Sequence, residues 1–111
     1  MYQFACDYPT YSNKTGSEID QDFSFTLIVT ESEDGSLTGV MSGNAGASSL
    51  VVALGAYGQI QFLETTSGGN WILTSVAPVS GKNEWPSVHS RHIWTGDKFI
   101  TSQNFGACTV R

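Results

Sequence analysis

The sequence predicts an all-β domain, a small antiparallel meander closing into a barrel of about eight strands, with a two-sheet sandwich as the alternative architecture. Three observations lead there. Apolar residues recur with a period of two over short stretches, as at Phe23, Phe25, Leu27 and Val29. Those stretches are separated by turn-forming clusters drawn from 12 glycines and abundant Ser, Asn and Asp, and no window shows a helical period. The two cysteines, Cys6 and Cys108, fall in the first and last predicted strands, which become neighbours only if the sheet closes in chain order. A meander of 111 residues hides its edges most economically by such closure, and residues 1–111 make one domain with a single core.

Taken in order, Tyr2, Phe4, Cys6 and Tyr8 alternate with polar or small residues, so the first strand has an apolar face that Pro9 is expected to end. Residues 9–21 are polar and turn-rich and read as a long loop. Asp22 to Thr30 is the clearest strand, with Phe23, Phe25, Leu27 and Val29 inward. Glu33-Asp34-Gly35-Ser36 supplies a hairpin turn, because Asp-Gly readily takes positive φ angles. Leu37 to Ser42 returns as a strand, with Gly39 as a bend or bulge. Ser48 to Leu54 and Gln59 to Thr66 form a central hairpin about the turn Gly55-Ala56-Tyr57-Gly58. Its first arm is apolar on both faces and predicts neighbours on both sides, whereas the second puts Ile60 and Phe62 inward and Gln59 and Gln61 outward. Trp71 to Ala77 follows, then an irregular segment from Pro78 to Pro86, then strands over Val88 to Thr95, Lys98 to Gln103 and Phe105 to Val110. Phe23, Phe25, Leu27, Leu50, Val52, Ile60 and Phe62 are bulky enough to predict a filled interior.

Charged residues make up only 14% of the chain and the net charge is −5, which disfavours nucleic acid or anionic lipid as the main partner. The acids gather early (Asp7, Glu18, Asp20, Asp22, Glu31, Glu33, Asp34) and the bases late (Lys82, Arg91, Lys98, Arg111), which describes two solvated faces of opposite sign. No stretch has the ~18 apolar residues of a membrane-spanning helix, and the N-terminus lacks the basic and apolar regions of an export signal, so a soluble chain is expected. Tyr57, Trp71, Trp85 and Trp94 are aromatics able to stack bases, but five basic side chains are few for a nucleic-acid groove.

A Cys6–Cys108 bridge would stabilise the barrel and imply a periplasmic or secreted protein; two buried thiols would imply a cytoplasmic one. Both alternatives stand at this level. With no Cys-x-x-Cys pair, a redox or zinc role is not expected.

The layout, a Tyr-x-Phe-x-Cys first strand followed by short strands and a last-strand Cys, resembles that of small periplasmic barrels such as the membrane-bound C-type lysozyme inhibitors. That resemblance implies an inhibitor-like module. Their Ser-Gly-rich recognition loop has its nearest counterpart at Ser42 to Ser48. Separately, His89-Ser90-Arg91-His92 with Ser102 to Cys108 resembles the closing segment of some short uncharacterised bacterial proteins and implies no function.

A catalytic site is not expected. Asp20 and Asp22 share a strand face but read as solvated acids, Glu31, Glu33 and Asp34 lack a calcium-loop pattern, and Gly55 and Gly58 precede no helix that would make a phosphate site. No cofactor or metal is predicted. The candidate binding residues are His89, Arg91 and Trp94. On a strand His89 and Arg91 share one face while His92 and Trp94 share the other, which predicts an exposed His89–Arg91 pair beside half-buried His92 and Trp94. Arg91 offers a planar fork of donors suited to a carboxylate or phosphate. The expected function is therefore non-enzymatic binding of another protein at the loop rim. The alternative is a calycin-like barrel for a small ligand, which an interior cavity above ~300 Å³ would favour.

Overall fold

The alternating apolar positions become the inner wall of a closed barrel in the computed structural model, which describes residues 2–13, 16–43, 46–66 and 68–111, with residues 11, 13 and 16–22 described by backbone alone. The strands are β1 (Tyr2–Asn13), β2 (Gly16–Glu31), β3 (Leu37–Gly43), β4 (Gly46–Leu54), β5 (Ile60–Thr65), β6 (Trp71–Val76), β7 (Glu84–Trp94) and β8 (Phe99–Val110). Each pairs antiparallel with its neighbours in chain order and β8 returns to pair with β1, so the sheet has no edge and is a barrel, not a sandwich. The long dimension is 44 Å and the cross-section 29 by 28 Å. Tyr2 and Val110 lie at one end of the barrel, here the lower; Asn13, Gly43, Thr65 and Trp94, at the far ends of their strands, lie at the upper.

Parity along each strand decides what is buried. Phe4, Cys6, Tyr8, Phe25, Leu27, Val29, Leu50, Phe62, Val76 and Cys108 form the core, and Phe23, Val52 and Ile60 pack partly buried against it. The predicted inward set thus fills the middle of the lumen, with Tyr8 5.2 Å from Phe25 and Phe4 6.4 Å from Phe62 between ring centroids. Cys6 and Cys108 are register partners across the β1–β8 seam with Cα atoms 3.9 Å apart, and their sulfurs are bonded. The bridge is set in the core and is not a surface clip.

Four expectations about the bounds of these elements are corrected. Residues 9–21 are no long loop: β1 runs on to Asn13 and β2 already begins at Gly16, so the polar stretch forms the upper part of a long hairpin held by its ladder instead of by apolar alternation. Pro9 does not end the strand, because it sits in a bulge where Tyr8 and Pro9 together oppose Gly106, and its missing N–H interrupts no regular pair. The irregular segment after Pro78 is shorter than predicted, since Glu84, Trp85 and Pro86 already belong to β7; Pro86 lies just beyond the end of β6, and its carbonyl still accepts from the Ala77 N–H. The two predicted last strands are one, β8, continuous through Asn104.

The central hairpin is placed as expected, with a single 3-10 turn at Ala56–Gly58 in which Tyr57 has φ 59°. Its first arm is not buried on both faces. A closed barrel gives each strand one inner face, and Val51, on the outer side of β4, is 62% exposed.

Candidate functional site

β7 carries its odd-numbered residues inward: Ser87 and His89 are buried, and Arg91 is half-buried. Cross-strand register sets them in rows along the inner wall. One row runs Phe62, Thr74, His89, Asn104; the row above it runs Glu64, Ile72, Arg91, Ser102. Among the described residues the buried polar side chains, Thr74, Ser87, His89, Ser102 and Asn104, come from β6, β7 and β8, whereas the inner wall of β1 and β2 carries Phe4, Tyr8, Phe25 and Leu27. The lumen is therefore polar on one side and apolar on the other.

Among the described residues no buried side-chain nitrogen or oxygen lacks a hydrogen-bond partner. The Ser87 hydroxyl donates to the Ser75 carbonyl at 2.8 Å and so accepts from the Tyr8 hydroxyl at 2.7 Å. Burial drives the Tyr8 phenol up to about 12, only partly offset by that hydrogen bond. His89 Nδ1 and Thr74 Oγ1 are 2.7 Å apart and hydrogen-bonded, donor and acceptor following the tautomer. The imidazole sits among Phe23, Phe25 and Tyr8 at centroid distances of 5.1, 5.3 and 5.9 Å. Desolvation there, reinforced by the nearby Arg91 cation, lowers its pKa to about 4, so the ring is neutral at pH 7.

Above His89 the lumen opens into a cavity of about 330 Å³ bounded by Phe23, Phe25 and Met41 on one side and Glu64, Ile72 and Arg91 on the other. Arg91 Nε donates to Ser102 Oγ at 3.0 Å, which turns the guanidinium towards β8. A second cavity of about 330 Å³ lies at the lower end between Phe4, Leu37, Leu54, Ile60 and Trp85. The core plug separates the two.

The predicted pair His89 and Arg91 is thus brought together, but inside the barrel and not as an exposed, solvated pair. Trp94 is separated from them. It faces outward, 49% exposed, with its ring 4.9 Å from Phe99 and its backbone N–H donating to Asn70 Oδ1. His92 is likewise exposed instead of half-buried. Of the other aromatics, Trp71 is exposed near Trp94 in the upper part of the barrel, Tyr57 is fully exposed at the lower end, and Trp85 is inside against Phe4 at 5.7 Å. The side chains of Asp20 and Asp22, and part of the Ser42 to Ser48 loop, lie outside the described residues. Glu64, Thr74 and Ser102 were missed as site residues. The available signal was parity counted back from Cys108, which puts Gly106, Asn104 and Ser102 on the cysteine's own face. Among the described residues no three His, Cys, Asp or Glu side chains stand together as metal ligands. No protein-family model, curated protein or solved structure matches the chain.

The buried imidazole makes stability depend on pH. The unfolded chain takes up a proton on His89 near the ordinary 6.5, while the folded chain resists until about 4. The unfolded state therefore binds more protons between those values, and stability falls as pH drops through that window, by up to about 3 kcal/mol from this group. Thermal melts of the wild type and His89→Gln between pH 7.5 and 4 should show a steeper acid loss in the wild type. Parallel slopes would remove the buried neutral histidine.

Proposed function

We propose that this chain is a non-enzymatic binding barrel that takes a small organic anion, a carboxylate or phosphate, into its upper cavity on Arg91. The observation that supports this is the placement of Arg91: half-buried in β7, fixed by Ser102, and lining a cavity of about 330 Å³, within the size range of small-ligand sites. An arginine fork in a partly desolvated setting binds such anions through charge-assisted hydrogen bonds. The sequence-based preference for a protein partner assumed a filled interior, whereas the lumen is filled only in its middle.

Catalysis is disfavoured by the arrangement itself. Thr74 and His89 resemble a hydroxyl activated by a base, yet Thr74 is 1% exposed and lies in the row below the cavity, so a substrate seated there does not reach its oxygen. The Cys6–Cys108 bridge supports an oxidising compartment, periplasmic or extracellular. Among the described residues no helix is long and apolar enough to cross a membrane.

Nuclear magnetic resonance titration with small carboxylates and phosphate monoesters tests the reading. Amide signals of Ile72, His89 and Arg91 should move together, and Arg91→Gln should weaken binding at least ~10-fold while leaving the melting temperature close to wild type. Shifts that survive Arg91→Gln unchanged would overturn it. A second reading, a protein partner at the upper rim, is supported by exposed Trp71, Trp94 and Phe99. Binding lost in Trp94→Ala but kept in Arg91→Gln would favour it.

A further inference from the structure

We infer that the ligand of the upper cavity is a small zwitterion, an amino acid or dipeptide, whose carboxylate meets Arg91 and whose ammonium group meets Glu64. This rests on the Arg91 reading above and adds the second charge that the site demands. Glu64 of β5 and Arg91 of β7 lie in one cross-strand row with Ile72 of β6 between them, and all three line the same cavity. Their Cα atoms are two strands apart, on the order of 10 Å. The Arg91 Nε bond to Ser102 draws the guanidinium towards β8, away from β5. The wall thus presents a cationic and an anionic group, separated by an apolar residue.

A simple anion seated on Arg91 shares the cavity with the Glu64 carboxylate, and the partly desolvated surroundings strengthen that repulsion. A molecule carrying both charges turns the same carboxylate into a second anchor. Discrimination follows from that exchange, since the ligand without its ammonium group meets repulsion where the zwitterion meets attraction. His89 adds no competing charge, because it enters as a neutral ring bonded to Thr74. Opposite the charged wall, Phe23, Phe25 and Met41 offer an apolar surface for the side chain of the ligand. A volume of about 330 Å³ admits an amino acid or dipeptide but not a long peptide.

Blocked analogues of one probe test this on the unaltered protein. L-alanyl-L-phenylalanine and L-phenylalanine would be titrated by calorimetry beside their N-acetyl and C-terminal amide derivatives. The free zwitterion of at least one probe should bind, with each blocked form at least ~10-fold weaker. Glu64→Gln should bring the free and N-acetyl forms close to equal affinity, with thermal melts showing that the variant is folded. If the N-acetyl form binds the wild type as well as the free one, Glu64 does not read an ammonium group and this inference fails, while the anion site on Arg91 stands. If the amide binds as well as the free zwitterion, Arg91 reads no carboxylate and both readings fall; if none of the probes binds at millimolar concentration while simple carboxylates do, the zwitterion is excluded and the anion site on Arg91 stands. Silence from simple carboxylates and from every probe would remove both readings.

Discussion

Gly106→Ala is expected to be the most damaging single substitution in this chain, costing more than ~4 kcal/mol and leaving little folded protein at 37 °C. Gly106 faces inward on β8, opposite the bulge at which Tyr8 and Pro9 of β1 crowd against one residue. A Cβ placed there would overlap the Asp7 carbonyl oxygen and stand 2.7 Å from Tyr8 Cα and 2.8 Å from the Asp7 carbonyl carbon. Those are backbone atoms, so no rotamer change relieves the clash. The seam has to separate, next to the Cys6–Cys108 bridge. Two other glycines calibrate the result. At Gly39 a Cβ meets the Val52 methyl group at 2.7 Å, which a side-chain adjustment relieves at a cost of roughly 1 to 3 kcal/mol. At Gly43 the nearest atom is Phe25 Cβ at 3.5 Å, an ordinary contact, so Gly43→Ala should be neutral or stabilise by a few tenths of a kcal/mol. Urea unfolding of the three variants should rank them in that order. A Gly106→Ala protein as stable as Gly43→Ala would show that β1 and β8 do not approach as described.

Much of this fold is legible in sequence because a barrel wall needs only period-two alternation and short turns, and both are local. Phe23, Phe25, Leu27 and Val29 state their face without help, as do Ile60 and Phe62. Closure is legible through Cys6 and Cys108, since two cysteines at the ends of a meander meet only if the sheet comes round. Two things were not legible, for physical reasons. Ladder hydrogen bonds hold a strand whether or not its side chains alternate, so the polar stretch after Pro9 continued the hairpin without a pattern to announce it. The face of β7 was the other. Periodicity puts His89 with Arg91 but does not say which side is inside, and β7 inverts the usual sign, with Val88 and Trp94 outward and Ser87 and His89 inward. A lumen tolerates that inversion only where the polar groups find partners, as Ser87 does with Tyr8 and His89 with Thr74. Those partners are on other strands, and a single stretch of sequence does not display them.

Loss of the Cys6–Cys108 bridge is the second large effect, expected at about 4 to 5 kcal/mol. The two residues are 102 positions apart, so the oxidised unfolded chain is a ring of nearly the whole protein. Opening that ring returns loop-closure entropy to the unfolded state, on a scale of about 4.7 kcal/mol for a loop of ~100 residues. The native state loses less. β1 and β8 keep their ladder on both sides of the bridge, from Phe4 paired with Val110 to Asn13 paired with Ser102, and both cysteines are buried among apolar neighbours that accommodate alanine. The double variant Cys6→Ala, Cys108→Ala should therefore remain a barrel, with a melting temperature lower by roughly 15 to 30 °C. Native protein should have an intact mass two hydrogens below its reduced form, and neither sulfur should react with a thiol reagent before unfolding. Because the effect acts through the unfolded chain, it should appear mainly as faster unfolding only if the seam forms late in folding, and as slower folding if β1 and β8 meet early. Equal melting temperatures for the wild type and the double variant would mean that closure is held by the ladder alone.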